Sequence, residues 1–364
     1  MTVRSLSGLA TAGRPAPLAD VTAYVVAVVV AAVVGALVIA LLGGDVGAAF
    51  ATLARASVGS AGGVAQTLNK ATPLMLGSLA VVVGMRGGYV NIGVDGQIYA
   101  GAIAATGLAF ALAGIGLPGA VLVVAVLLAG VAGGALWVLT PALLRARAGV
   151  SEVFVTVMLN FVALFLTEYL ATGPWNDPVA GEAISRPIPS AAALPMVLRG
   201  GAHAGIVLVL AAGVAVAWML ARTLLGYQIR AVGDNPRAAR LGGIALGRIT
   251  VITLLLSGAL AGLAGAIEVT GFHQRLILGL SPGYGIMAIL IAVIARRHPM
   301  GAMVAALLMA ALLVGSDSLQ RSIGLPASAV FVFQAVILLV LLLVEGLREV
   351  VRRAPRPETV VMGS

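Results

Sequence analysis

Polar residues interrupt an apolar sequence at a few points, and the first group lies between Arg86 and Gln97. Four glycines in this segment weaken a helix by about 1 kcal/mol each. Amide and carboxyl groups are costly to bury at membrane depth and usually have a function there. Asn91 and Asp95 are four residues apart, which predicts that they share a helix face. The pattern predicts either a role in a transport path or an Arg86–Asp95 ion pair that only stabilises a kink.

Further candidates for the solute path lie downstream. Asn160 and Glu168 are eight residues apart, within one broad face of a helix, and Glu268 follows a run of small residues. Tyr284 stands in a segment with two glycines and a proline, which is a poor continuous helix. Such a segment is tolerated at membrane depth where protein or a water-filled cavity covers it. For both glutamates the alternative is a position in the outer headgroup layer.

A basic loop over residues 222–243 contains the signature of a short helix. It has Asp or Asn at the N-cap, Pro at the first helical position and two glycines beyond the end. At a cytoplasmic surface this predicts either a docking element for a partner protein or an interfacial helix on anionic lipid. The residues of the candidate docking element are Arg230, Asp234, Asn235, Pro236, Arg237, Ala238, Ala239 and Arg240.

Catalytic chemistry has little support in the sequence. Cysteine is absent, which excludes thiol nucleophiles and thiolate ligands from this chain. Lys70 is the sole lysine and is not part of the Gly-Lys-Ser/Thr run that a P-loop needs. His203, His273 and His298 are far apart and show no metal-ligand spacing. We therefore expect no catalytic residue, no metal site and no cofactor here, with any ATP bound by another subunit.

Composition identifies the elements that position these residues as membrane helices. Of 364 residues, 61% are hydrophobic and 10% are charged, against about a quarter charged in a soluble domain. The sequence predicts an all-α, polytopic membrane protein: a tail over residues 1–20, a membrane domain over 21–347 and a tail over 348–364. Its ten predicted spans lie near residues 21–42, 70–86, 91–113, 117–140, 152–172, 204–221, 249–271, 282–296, 300–315 and 328–347.

The basic residues predict the orientation. Ten spans place both termini on one side, together with 16 of the 22 basic residues. Because basic residues resist translocation, that side is predicted to be cytoplasmic. The net charge of +9 is thereby explained by topology and by contact with membrane lipid, without nucleic-acid binding.

Several motifs resemble those of a known family of permeases. The segment Asn91-Ile-Gly-Val-Asp-Gly-Gln97 resembles the N-I-G-x-E-G-Q motif of the branched-chain amino acid and ribose importer superfamily. Residues 226–240 resemble its G-x-x-x-R-A-V-G-x-N-x-x-A-A-R loop, and residues 257–268 resemble the helix that follows. Residues 148–160 are most similar to nucleoside importers that use a receptor of the basic membrane protein type. The chain has Asp95 where these permeases usually have glutamate.

The resemblance implies a permease subunit of an ATP-binding cassette importer in a bacterial plasma (inner) membrane. A second, different permease would complete the pore, and a binding lipoprotein would deliver a nucleoside to the outer segment of residues 173–202. A separate ATPase, using ATP and Mg, would grip the cytoplasmic helix around residues 235–240.

For the solute, Asn91, Gln97 and Asn160 are expected to bind the ribose, and Tyr284 or Trp137 to stack on the base. The alternatives are a simple sugar or an amino acid as the solute. A proton-coupled secondary transporter is another, with a relay through Asp95, Glu168 or Glu268.

Overall fold

The computed structural model describes residues 29–323, except 31, 38, 42, 181 and 199, and six further positions between 335 and 346. The described chain is almost entirely helical. The helices are α1 (Val46–Ser57), α2 (Ala61–Arg86), α3 (Val94–Ala111), α4 (Gly119–Ala148), α5 (Glu152–Thr172), α6 (Gly205–Arg222), α7 (Leu224–Asp234), α8 (Pro236–Leu241), α9 (Leu246–Ile267), α10 (Tyr284–Ile294) and α11 (Pro299–Ile323). A π-helical turn, Glu268–His273, continues α9, and a small hairpin pairs β1 (Met196–Leu198) with β2 (Ala202–His203).

Among the described residues, six helices are long and apolar enough to cross a membrane, namely α2, α4, α5, α6, α9 and α11. α3, with 18 residues, and the short α10, with 11, coincide with the predicted third and eighth spans. The described residues between 32 and 41 are helical. The predicted tenth span and both tails lie outside the continuous described stretch. A polytopic helical membrane protein is confirmed, while the number ten and the side of the termini stay predictions.

The centre of the unit Phe50–Ser322 is a contact between α4 and α9 made by glycines. A Cβ at Gly134 would lie 2.2 Å from the Gly258 carbonyl oxygen, and one at Gly262 would lie 2.2 Å from the Gly130 carbonyl oxygen. The sequence pairs Gly130 with Gly134 and Gly258 with Gly262, a spacing that lets helices approach closely in lipid. The structure packs these two pairs against each other.

One end of this unit is rich in arginine. Here the Arg86 Nε donates to the Arg297 carbonyl oxygen at 2.8 Å, and the Arg145 guanidinium lies 6.0 Å from the centre of the Tyr89 ring. We call this the arginine-rich end, and it is the end that the sequence predicts to be cytoplasmic. The basic ends of α2, α4 and α10 therefore meet, as the topology argument requires of them.

The opposite end, which we call the loop end, is covered by the segment between α5 and α6. The Ile188 amide donates to the Gln274 carbonyl, and the Leu194 amide to the Thr270 carbonyl. The Arg275 guanidinium lies 2.9 Å from the Asp177 carboxylate. This segment thus folds back over the end of α9 and its π-turn.

Candidate functional site

The segment from Asn91 to Gln97 does not form a single helix, so the predicted shared face is wrong. α3 begins at Val94, and Asn91 lies in the turn before it. The Oδ1 of Asn91 accepts a hydrogen bond from the Gly93 amide at 3.0 Å. Such side-chain bonds to nearby backbone compete with helix formation, which explains the later start of α3.

Asn91 and Gln97 form a buried amide pair. The Nδ2 of Asn91 donates to the Oε1 of Gln97 and to the Oγ of Ser257, both at 2.8 Å, and the Nε2 of Gln97 donates to the Oδ1 of Asn91 at 3.0 Å. Ser257 donates in turn to the Ala80 carbonyl at 2.7 Å. Asn91 is 0% exposed and Gln97 is 1% exposed. These bonds tie α2, α3 and α9 together in a place that solvent does not reach.

Asn160 on α5 holds the same turn from the other side. Its Oδ1 accepts from the Gly96 amide at 2.8 Å, and its Nδ2 donates to the Ile92 carbonyl at 3.0 Å. The structure therefore brings Asn91, Gln97 and Asn160 to one turn, where their amides bond to the protein itself. Their predicted contact with a ribose stays a prediction.

Asp95 connects this turn to α10. The Arg86–Asp95 ion pair is not formed, because Arg86 donates to a carbonyl at the arginine-rich end instead. The Oδ1 of Asp95 accepts from the Ser281 Oγ at 2.5 Å and from the Gly285 amide at 2.8 Å. The first turn of a helix has unpaired N–H groups and a partial positive charge, so a carboxylate is stabilised there.

Glycine at position 285 makes that contact possible. A Cβ at Gly285 would lie 2.6 Å from the Oδ2 of Asp95. The glycines around Tyr284 therefore admit a carboxylate to the start of α10. The segment from Arg86 to Gln97 and the glycine-rich segment around Tyr284 therefore meet at this point.

The other predicted solute-path residues lie elsewhere. Glu268 is buried at the start of the π-turn, and its Oε2 lies 3.4 Å from the Nε2 of His273. Tyr284 is 3% exposed, at the start of α10. Glu168 is exposed on α5, the helix that also carries the half-buried Asn160, and its place in the solute path stays a prediction. Trp137 is half-buried on α4.

At the arginine-rich end, the predicted short helix is present as α8. The Oδ1 of Asn235 accepts from the amides of Arg237 and Ala238, both at 3.1 Å, and Pro236 occupies the first turn. The sequence predicted Asp234 or Asn235 as the N-cap, and in the structure it is Asn235. Gly242 follows the end of the helix, also as predicted.

α8 is exposed along most of its surface. Leu241 is 90% exposed, whereas Ala239 is 5% exposed and packs inward. A groove of about 440 Å³ runs beside the helix and is lined by Pro236, Arg237, Arg240, Leu241 and Leu246. α8 thus offers arginines and an apolar groove to the solvent, with one alanine holding it to the protein.

α7, which leads into α8, contacts the turn that holds Asn91. A Cβ at Gly233 would lie 2.1 Å from the Arg86 carbonyl oxygen and 2.9 Å from the Gly88 amide nitrogen. α8 is therefore connected to the buried amide pair through α7, whose Gly233 packs against the backbone just before Asn91.

The motifs, their order and this geometry agree with one family model. Residues 63–344 match the family described as "Branched-chain amino acid transport system / permease component". The chain belongs to this family. It is the permease subunit of an ATP-binding cassette transporter and a multi-pass membrane protein.

Three relatives illustrate the similarity of this permease to characterised proteins. The glucose ABC transporter permease protein TsgB13 of Haloferax volcanii is 35% identical over 77% of this chain and 76% of its own. The guanosine ABC transporter permease protein NupP of Bacillus subtilis is 32% identical over 76% of this chain and 80% of its own. NupQ, a second guanosine permease of the same organism, is 30% identical over 67% of this chain and 78% of its own. No solved structure matches the chain.

Among the ion pairs that sequence reasoning missed, one joins two membrane-crossing helices of the permease. The Nζ of Lys70 on α2 lies 3.1 Å from the Oδ2 of Asp317 on α11. The signal was an isolated lysine and an isolated aspartate, each within an apolar stretch, but 247 residues separate them. The described residues contain no group of three or more His, Cys, Asp or Glu side chains placed to hold a metal ion.

Proposed function

We propose that this permease carries nucleosides inward as one half of the pore of an ATP-binding cassette importer. The support is its similarity, over most of both chains, to two permeases described as guanosine transporters. The glucose permease among the relatives supports a simple sugar as the second candidate solute. Guanosine and glucose share a ring with neighbouring hydroxyl groups, and neither is charged at neutral pH.

α8 carries the proposed coupling to an ATPase subunit, which would bind the ATP and Mg. The observation behind this is a capped, exposed helix with Arg237 and Arg240 on its surface and a groove at its side. Through Gly233 it reaches the turn of Asn91, and through Asp95 that turn reaches α10. A displacement of α8 would therefore move the turn of Asn91 and the start of α10, which lie within the membrane domain.

The proposed assembly contains two further partners. Two different guanosine permeases from one organism resemble this chain, which supports a heterodimer with a second permease. The segment of residues 173–202 covers the loop end and would receive a binding lipoprotein. In this arrangement the arginine-rich end faces the cytoplasm of a bacterial cell, and the protein lies in the inner membrane.

Uptake of radiolabelled solutes tests the solute. Cells that lack this chain should lose the uptake of guanosine and regain it when the gene is restored. If guanosine uptake is unchanged and glucose uptake is lost, the nucleoside is rejected and the sugar is supported. If neither changes, the importer proposed here is wrong for both solutes.

Substitution on α8 tests the coupling separately. Ala238 is exposed, whereas Ala239 packs inward, so Ala238→Glu probes docking without disturbing the fold. We expect Ala238→Glu to remove solute-stimulated ATPase activity and uptake, because a close-fitting surface does not admit extra volume and charge. Ala148→Glu, at an exposed alanine of the same end, is the matched control. Normal uptake by Ala238→Glu in a fully assembled complex would show that α8 is not the coupling element.

A further inference from the structure

The ion pair between Lys70 and Asp317 lies at membrane depth. α2 has 26 residues and is about 39 Å long, against a hydrocarbon core of about 30 Å. Lys70 lies about 14 Å from the Ala61 end of this helix and about 24 Å from the Arg86 end. When α2 spans the whole core, at most about 9 Å of it extends beyond the core, which places Lys70 inside.

This pair is not enclosed by the protein. The side chains of Lys70 and Asp317 are 26% and 38% exposed. Charged groups at this depth face a water-filled space or another protein rather than lipid. Every residue of α2 from 71 to 84 is buried, whereas residues between 61 and 70 alternate between buried and open positions. Lys70 therefore lies where the partly exposed part of α2, toward the loop end, meets its fully buried part.

A second pair of ionisable side chains, Glu268 and His273, lies near the first. Glu268 and His273 are five residues apart, and in an α-helix such residues point about 140° away from each other. In a π-turn, where residue i bonds to residue i+5, they come to the same side, and the structure places their side chains 3.4 Å apart. Lys70 is near enough to Glu268 to interact with it electrostatically, and both Glu268 and Asp317 interact with Tyr284.

We propose that Lys70, Asp317 and the Glu268–His273 pair form a binding site for the neighbouring hydroxyl groups of a sugar ring, carried either by a nucleoside or by a free sugar. This inference rests on the proposed function, because it assigns a site to the proposed solutes. Carboxylate oxygens accept hydrogen bonds from hydroxyl groups, and an ammonium group donates to hydroxyl oxygens. The base of the solute does not enter the proposal.

A lysine at position 70, rather than an arginine, suits a site that binds hydroxyl groups. The other 21 basic residues of the chain are arginines, and the single lysine lies here. A lysine ammonium is a compact charge with three donors on a flexible stem, whereas a guanidinium is a fixed planar fork. An ammonium can therefore keep Asp317 as a partner and turn a donor toward a hydroxyl.

The test compares solutes with and without these hydroxyl groups. Cells lacking the chromosomal copy carry the native chain or the double variant Lys70→Met/Asp317→Asn, and the KM for uptake is measured for guanosine and for 2′,3′-dideoxyguanosine. The double variant removes both charges together and so leaves no unpaired ion. We expect the preference of the native complex for guanosine to fall about tenfold, since a hydrogen bond to a charged group is lost. The binding lipoprotein is the same in both strains. Its own preference for one solute therefore cancels when the ratio of the two KM values is compared between the strains.

The matched control is Arg145→Met/Glu152→Gln, an ion pair at the arginine-rich end, away from the proposed solute and receptor sites. It should keep the native preference. Unchanged preference in the Lys70/Asp317 variant overturns the site. A loss of maximal rate that is equal for both solutes also overturns it, because the ion pair would then only hold α2 and α11 together. Loss of assembly with the second permease, with a native KM in the complexes that remain, overturns it in favour of a subunit contact. If the native chain imports neither guanosine nor glucose, the proposed function itself is wrong. That outcome is seen in the native strain alone and is therefore distinct from a failure of the proposed site.

Discussion

α2 and α5 both cross the membrane domain, but they are buried to opposite degrees. Of their membrane-crossing parts, 83% of α2 is buried inside the protein and 17% of α5, although α5 is the more apolar helix. In a soluble protein the more apolar helix would be expected inside. Lipid is as apolar as a leucine side chain, so hydrophobicity does not decide burial within a membrane.

The residue types on α5 show what decides it. Its buried residues are polar, charged or small, and its exposed residues are mostly large and apolar. The buried set is Glu152, Thr156, Ala163, Thr167 and Ala171, and the large exposed set is Phe154, Met158, Phe161, Val162, Phe165 and Tyr169. Close packing and hydrogen bonds hold the interior, and lipid solvates the remainder.

The largest effect expected from this comparison is at the glycine contact. Gly262→Ala places a Cβ about 2.2 Å from the Gly130 carbonyl oxygen, and we expect a loss of more than about 5 kcal/mol in stability, at the extreme of single substitutions. Gly62→Ala is the matched control, because a Cβ at Gly62 meets nothing within 4 Å. Folded protein recovered in detergent, and its thermal unfolding, measure both. Similar behaviour of the two variants would contradict the glycine-packed interior.

Removal of a buried amide should have the next largest effect. Asn91→Ala leaves the Gln97 side chain and the Gly93 amide without a partner, at about 1–3 kcal/mol per buried group. We expect a total loss of about 3–4 kcal/mol in thermal unfolding. Glu168→Ala, at an exposed polar residue of α5, should change stability by less than about 0.5 kcal/mol. A small effect of Asn91→Ala would show that hydrogen bonds are not what holds α2 inside.

Two histidines outside the membrane-crossing helices also differ in burial, since His203 is buried and His298 is exposed. Burial lowers the pKa of His203 from 6.5 to about 4. The unfolded chain binds a proton near pH 6.5, so stability is complete above that value and falls as the pH decreases toward 4, by about 3 kcal/mol in all. His203→Gln should remove this slope between pH 6.5 and 4. His298 is exposed and its Nδ1 also accepts a backbone amide, so His298→Gln should leave the slope intact.

The smallest effect is expected on the lipid-facing side of α5. Phe161 is 53% exposed, and Phe161→Leu exchanges one apolar side chain for another in lipid. We expect a change below about 0.5 kcal/mol in thermal unfolding. The comparison would be broken by a loss of 2 kcal/mol or more (of the order found in a packed core), since Phe161 would then be packed against protein.

The sequence predicted the elements better than their contacts. α5 coincides with its predicted span, and the cap of α8 could be identified from Asn235 and Pro236, because these signals are local. α2 begins at Ala61 rather than near residue 70, since hydropathy places polar residues outside a span. Asn69 is accepted inside because its side chain bonds to the Gly201 carbonyl and the His203 amide, 132 and 134 residues away.

The site shows the same limit. Asn91, Asp95 and Gln97 could be selected from the sequence because polar residues are rare there, and the family motif added Asn235 to Arg240. Their hydrogen bonds could not be predicted, because Ser257, Ser281 and Asn160 (itself a candidate) are distant in sequence and become neighbours only through packing. The alternative that paired Arg86 with Asp95, which are close in sequence, is not formed in the structure.

The contact of Gly233 with the Arg86 carbonyl also restricts how the two segments can change during evolution. Any side chain at position 233 would overlap the backbone of the α2–α3 turn, so it would be accepted only if that turn moved and the bonds of Asn91 moved with it. Substitutions in the surface loop and in the membrane motif are therefore expected to occur together among related permeases. Segments exchanged singly between two such permeases should assemble poorly, and segments exchanged as a pair should assemble well.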